Sequence, residues 1–119
     1  MAPQKLVLVL DDDASVLRAV KRLLTTRGFA VEAYSTVESF LDCSNLRDAA
    51  CLVLDINLDG ASGIDLQRQL TRAGRSPPVI FITAQDEEAT RRAALSAGCV
   101  AYLPKPFPSQ ALVDAVEAA

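Results

Sequence analysis

At 119 residues, half of them apolar, the chain is sized for one domain with a real hydrophobic core. A net charge of −3 offers no basic stripe of the kind that grips nucleic acid, and the longest apolar stretch, Leu6 to Leu10, is far too short to cross a bilayer. Histidine is absent, so the chain itself carries neither an imidazole base nor a phosphohistidine. Cys43, Cys51 and Cys99 are odd in number and lack CxxC spacing; they read as small buried hydrophobes in a reducing, cytoplasmic setting. The five residues from Met1 to Lys5 lead straight into the first apolar run, so no secretory signal is expected.

Residues 5–10 read as a strand, apolar without a break from Leu6 to Leu10, the pattern of a strand covered on both faces. Val16, Leu17, Val20, Leu23 and Leu24 then recur at helical spacing, and Gly28 follows as the C-terminal cap. Residues 29–34 make a short strand. Ser35-Thr36-Val37-Glu38 has the form of a capping box before a helix bearing Phe40 and Leu41. Residues 51–54 are a third apolar strand. Ser62-Gly63-Ile64-Asp65 opens a third helix, with Leu66 and Leu70 inward and Gly74 closing it. Pro77 and Pro78 forbid helix and lead into a fourth strand over 79–82. Asp86-Glu87-Glu88 places acid at the start of a fourth helix, where the helix dipole favours it; Gly98 ends that helix. Residues 100–103 are a fifth strand, and Ser109 is expected to cap a last helix carrying Leu112, Val113 and Val116.

Strict alternation with short connections and no repeat or linker implies one α/β domain over residues 1–119, with parallel strands, right-handed crossovers and helices on both faces. Such sheets bind ligands beyond the carboxyl ends of their strands. Those ends carry Asp11-Asp12-Asp13, Asp55 with Ile56-Asn57, Thr83-Ala84, and Lys105-Pro106. Asp13 reads as a helix cap. Crowded carboxylates repel, and a hard divalent ion with oxygen ligands relieves them; Mg²⁺ suits, because it completes its shell with water and phosphate oxygens. A metal, a lysine and a hydroxyl at one point are the equipment of phosphoryl transfer, and a carboxylate is a competent nucleophile for phosphorus.

Four segments in this order, Val9-Leu10-Asp11-Asp12-Asp13, Val53-Leu54-Asp55-Ile56-Asn57, Phe81-Ile82-Thr83-Ala84 and Tyr102-Leu103-Pro104-Lys105-Pro106-Phe107, make the whole chain resemble the receiver domain of bacterial two-component response regulators. The likeness is to receivers that often precede a helix-turn-helix output domain. It implies a (βα)5 doubly wound sheet of flavodoxin-like order 2-1-3-4-5. It also implies that Asp55 is the phosphoacceptor, and that Mg²⁺ is held by Asp11, Asp12, Asp55 and the backbone carbonyl of Asn57, with Asp11 acting mainly through the ion's water shell. Lys105 and Thr83 would contact the phosphoryl group, Thr83 and Tyr102 would form the switch, and Lys105–Pro106 would be a cis peptide. The implied donor is a sensor histidine kinase, and the chain would catalyse only its own phosphorylation and slow dephosphorylation. The output would pass through the fourth helix, fifth strand and fifth helix to a partner, a phosphorylation-dependent homodimer or a DNA-binding domain beyond this chain, without direct nucleic-acid or membrane contact. One departure stands out: where receivers commonly have Met-Pro, this chain has Leu58-Asp59, so a looser loop and an altered Mg²⁺ affinity are expected.

Two other readings compete. A haloacid-dehalogenase-like phosphatase would take Asp11 as nucleophile, Thr83 and Lys105 as its next motifs, but it needs an acidic motif after the lysine and leaves Asp55 without a role. A pseudo-receiver that binds partners without phosphorylation would not need the full acceptor set found here.

Overall fold

The computed structural model describes residues 4–42, 45–74 and 76–119; Cys43 lies outside the described residues. Five strands, β1 (Leu6–Leu10), β2 (Ala30–Tyr34), β3 (Cys51–Asp55), β4 (Val79–Thr83) and β5 (Ala101–Pro104), alternate with five helices, α1 (Ala14–Thr26), α2 (Val37–Leu41), α3 (Gly63–Arg72), α4 (Glu88–Ser96) and α5 (Ser109–Ala118). The strands pair in parallel in the order β2-β1-β3-β4-β5, the order that the family resemblance implies.

Alternate residues of each central strand feed opposite faces, because successive side chains on a strand point to opposite sides. Val7, Val9, Val53, Ile80 and Ile82 pack with Val20 and Leu24 of α1 and Leu112, Val113 and Val116 of α5. Leu8, Leu10, Leu52, Leu54 and Phe81 pack on the other face with Phe40 of α2, Ile64, Leu66 and Leu70 of α3, and Ala94 of α4. Every residue of β3 and β4 is buried, so these strands are pinned from both sides.

Several boundaries and caps differ from expectation. β3 continues through Asp55 and β4 through Thr83, so the acid and the hydroxyl are the last strand residues and not the first loop residues. β5 begins at Ala101; Val100 is 54 % exposed just before it. Thr36, not Ser35, caps α2: its hydroxyl accepts from Ser39 N at 3.1 Å, and Ser39 Oγ donates to Thr36 O at 3.0 Å. Ser109 is already helical; extended Pro108 precedes it and no side-chain hydrogen bond caps α5. A 3₁₀ turn, Leu46–Asp48, also lies between α2 and β3, where periodicity gives no signal. Gly28 takes φ 94° just after α1, the left-handed turn that glycine permits at a helix end.

Candidate acceptor site

The site is built by strand ends. Asp11, directly after β1, is wholly buried, and its backbone N–H donates to Tyr34 O at 3.1 Å. Its Oδ1 accepts from Asp13 N at 2.8 Å. Asp13 in turn caps α1, accepting from Ser15 N at 2.8 Å, so the acidic run is shaped by the start of the helix. Asp12 faces solvent. Asp55 closes β3, is 5 % exposed, and its Oδ1 accepts from Asn57 N at 3.0 Å. Lys105, whose backbone N–H donates to Thr83 O at 2.7 Å, reaches back across the rim. Its Nζ donates to Asp11 Oδ2 at 2.8 Å and to Asp55 Oδ2 at 3.1 Å. Lys105–Pro106 is cis, as expected.

One ammonium thus faces two buried carboxylates, with a third carboxylate alongside. Burial pushes Asp55 above the usual carboxylate range, the neighbouring Asp11 charge adds to this, and the Asn57 N–H and Lys105 oppose it. Burial by itself would lower Lys105, but the two carboxylates outweigh it and the net direction is upward, so the lysine stays charged. Negative charge remains in excess. Carboxylate oxygens of Asp11, Asp12 and Asp55 lie within 4.8 Å of one another, an all-oxygen donor set that fits a hard divalent cation.

Thr83, fully buried, stands beside this group. Its Oγ1 accepts from Asn57 Nδ2 at 3.2 Å and from Gln85 N at 3.0 Å, and donates to Gln85 O at 3.3 Å. Tyr102 is half-buried on edge strand β5; its hydroxyl donates to Asp86 Oδ1 at 3.1 Å and Arg91 lies 5.4 Å from its ring centroid. Every residue singled out from the sequence is therefore at this rim, with Tyr102 leading away from it.

Four contributors went unread in the sequence. Gly63, taken only as a helix opener, approaches β3 so closely that a Cβ there would collide with the carbonyl oxygen of Asp55. The side chain of Asn57, the backbone of Gln85 and the Asp86–Arg91 pair at 3.5 Å gain roles only through contacts across the fold. The segment that departs from Met-Pro folds into a two-residue ladder, Asn57–Leu58 against Ala61–Ser62, turned by Gly60 at φ 72° and with Leu58 buried.

The family described as "Response regulator receiver domain" matches residues 7–117. The chain belongs to that family. This receiver is 37 % identical over 113 residues to the response regulator protein TodT of Pseudomonas putida, covering 95 % of this chain and 50 % of TodT. Among solved structures it is similar to response regulator StyR, with 44 % identity, a TM-score of 0.87, and coverage of 98 % of this chain and 59 % of that one. It also matches a response regulator receiver protein from Burkholderia phymatum, with 43 % identity, a TM-score of 0.83, and coverage of 97 % and 94 %. The chain spans about half the length of the curated relatives it matches. As a receiver domain it is a phosphoacceptor signalling switch of two-component systems. The dehalogenase-like alternative is set aside by the family match, which covers residues 7–117. Among the described residues no helix is long and apolar enough to cross a membrane.

Proposed function

We propose that Asp55 accepts the phosphoryl group, and that Asp11, Asp12, Lys105, Thr83 and Tyr102 serve that transfer and its readout. The observation that carries this is the Lys105 ammonium bridging Asp11 and Asp55 at the carboxyl end of the sheet. A carboxylate oxygen of Asp55 attacks phosphorus of a phosphohistidine on a partner kinase. The phosphorus–nitrogen bond breaks, its electron pair stays with the imidazole, and an aspartyl phosphate forms. Lys105 holds the nucleophile and balances charge growing on the phosphoryl oxygens. Asp12, Asp55 and the backbone carbonyl of Asn57 would hold Mg²⁺, and Asp11 would act through its water shell. When bound, the ion supplies positive charge that offsets the carboxylates and the phosphate.

Thr83 then exchanges its bond to Gln85 O for a charge-assisted bond to a phosphoryl oxygen, and Tyr102 turns inward behind it. The face made by α4, β5 and α5 changes, and passes the signal to a partner, a second copy, or an output domain outside this chain; the half-length match to TodT supports the last. The receiver acts on no substrate but its own acceptor, and it works in the cytoplasm with a sensor histidine kinase. Mass spectrometry after exposure to acetyl phosphate and Mg²⁺ should show one added phosphoryl group, lost in Asp55→Asn with the fold intact. Uptake by Asp55→Asn at the wild-type rate would overturn the assignment.

A further inference from the structure

Thr83 and Tyr102 are joined in this chain by one short segment. Thr83 Oγ1 is tied at both donor and acceptor sides to the backbone of Gln85, and the next residue, Asp86, holds Tyr102 from outside. Asp86 uses its two oxygens separately: Oδ1 takes the Tyr102 hydroxyl at 3.1 Å, and Oδ2 takes Arg91 Nη2 at 3.5 Å. Arg91, on the second turn's side of α4, also lies over the tyrosine ring at 5.4 Å. The ring is thus gripped at its hydroxyl and on its face, and the two gripping groups steady each other. A guanidinium over an aromatic face is attracted by the ring quadrupole, and the carboxylate orients it there.

We propose that Asp86 and Arg91 form a clasp that holds Tyr102 outward in the unphosphorylated domain, and that pulling Thr83 off Gln85 opens it. This rests on the switch assigned to Thr83 and Tyr102 above; the clasp itself is the new element. When the Thr83 side chain swings its hydroxyl toward the phosphoryl group, Gln85 loses both of its bonds to that hydroxyl and the segment bearing Asp86 is released. Tyr102 then loses its hydroxyl partner at the moment space opens behind it. The clasp sets the resting population, because a two-state element shifts by the differential free energy of its contacts in the two states. Its three contacts are partly exposed, so each is modest and their loss moves the balance by a moderate factor.

The test uses a background in which Tyr34→Phe leaves Tyr102 as the sole tyrosine, labelled as 3-fluorotyrosine and read by fluorine NMR. In the untreated domain, Asp86→Ala and Arg91→Ala should each raise the inward ring population roughly three- to tenfold. Unlabelled Tyr34→Phe should match the unlabelled parent by amide NMR around Tyr102. Beryllofluoride with Mg²⁺, standing in for the phosphoryl group, should reach half-saturation at a correspondingly lower concentration in both variants. Combining Asp86→Ala with Arg91→Ala should give less than the product of the two effects, because they act through one grip. Arg91→Lys, which keeps the charge but loses the flat face, should fall between wild type and Arg91→Ala. Unchanged ring populations in both untreated alanine variants would overturn the clasp, whatever beryllofluoride does. Ring populations that shift in the variants while beryllofluoride leaves the parent's ring unmoved would keep the resting grip and overturn the switch assigned to Thr83 and Tyr102.

Discussion

Phe81 and Tyr102 are neighbours in register across β4 and β5, yet they occupy opposite settings. Phe81 is wholly buried within a strand that is covered at every position; Tyr102 is half-buried on an edge strand that is fully covered nowhere. The same contrast separates the proposed acceptor site from its proposed readout. Asp55 and Thr83 end the two central strands, whose backbones are bonded on both sides, whereas Tyr102 depends on side chains at the surface. Phosphoryl transfer needs fixed geometry, and a reporter needs a low cost of movement. The sheet suits both by placing the proposed acceptor at its centre and the proposed reporter at its edge.

The comparison breaks most visibly if the two aromatics are deleted or trimmed. Phe81→Ala should cost about 3–5 kcal/mol in chemical denaturation, the penalty for a large cavity in a packed core. Tyr102→Phe should cost under about 1 kcal/mol, since it removes one exposed hydrogen bond. Equal costs would show that the edge is as tightly held as the centre.

A pH measurement sharpens the same point at Cys51, which lies in β3. Burial pushes its thiol up from 9.0 to about 11. Below pH 9 neither state ionises and the residue contributes nothing. From pH 9 to 11 the unfolded chain releases the proton first, so stability falls as pH rises, by about 2–3 kcal/mol in all. Cys51→Ala should flatten that fall, which also separates it from the titration of lysines; an unchanged slope between the two proteins would contradict the assignment.

Gly63→Ala probes how the centre is kept rigid. The new methyl group would press on the carbonyl of Asp55, the next turn would have to shift, and stability should drop by about 1–3 kcal/mol. Because the displaced group belongs to the proposed acceptor residue, acetyl phosphate uptake should slow as well. A variant that is destabilised but takes up phosphate at the wild-type rate would show that Asp55 tolerates more motion than the central setting implies.

The sequence made the alternation of elements legible, because continuous apolar runs and helical spacing are strong signals, and the parallel order followed from the family resemblance. The rim residues were legible for the same reason: Asp11, Asp55, Thr83 and Lys105 each close or follow an apolar run. Caps were less so. Ser35 and Thr36 both suit a helix start, and only backbone geometry chose Thr36; Pro108 displaced Ser109 from the cap it was expected to fill. The role of Gly63 was hidden because close approach to β3 leaves no mark in a chain where glycine also opens helices. The lysine's place was misjudged in one respect. The resemblance places Lys105 on the phosphoryl group, but in the resting domain it already serves Asp11 and Asp55.

That correction changes what Asp12 should do, and gives the smallest effect. Asp11 and Asp55 are buried and share the ammonium, while Asp12 is exposed with an oxygen within 4.8 Å of theirs. Its repulsion acts through solvent, so neutralising it in Asp12→Asn should raise the stability of the metal-free domain by no more than about 1 kcal/mol, less at high salt. Magnesium should reverse the order. A ligand that binds only the folded state stabilises it in proportion to the logarithm of its concentration over its dissociation constant. The wild type should therefore gain with added Mg²⁺ and the variant should gain less, because a proposed ligand is gone. Urea denaturation of both proteins, in EDTA and in excess Mg²⁺, reads the crossing directly. A variant less stable than wild type in EDTA would mean that Asp12 makes a favourable contact in the resting domain, and the crowding argument would fail at its exposed member.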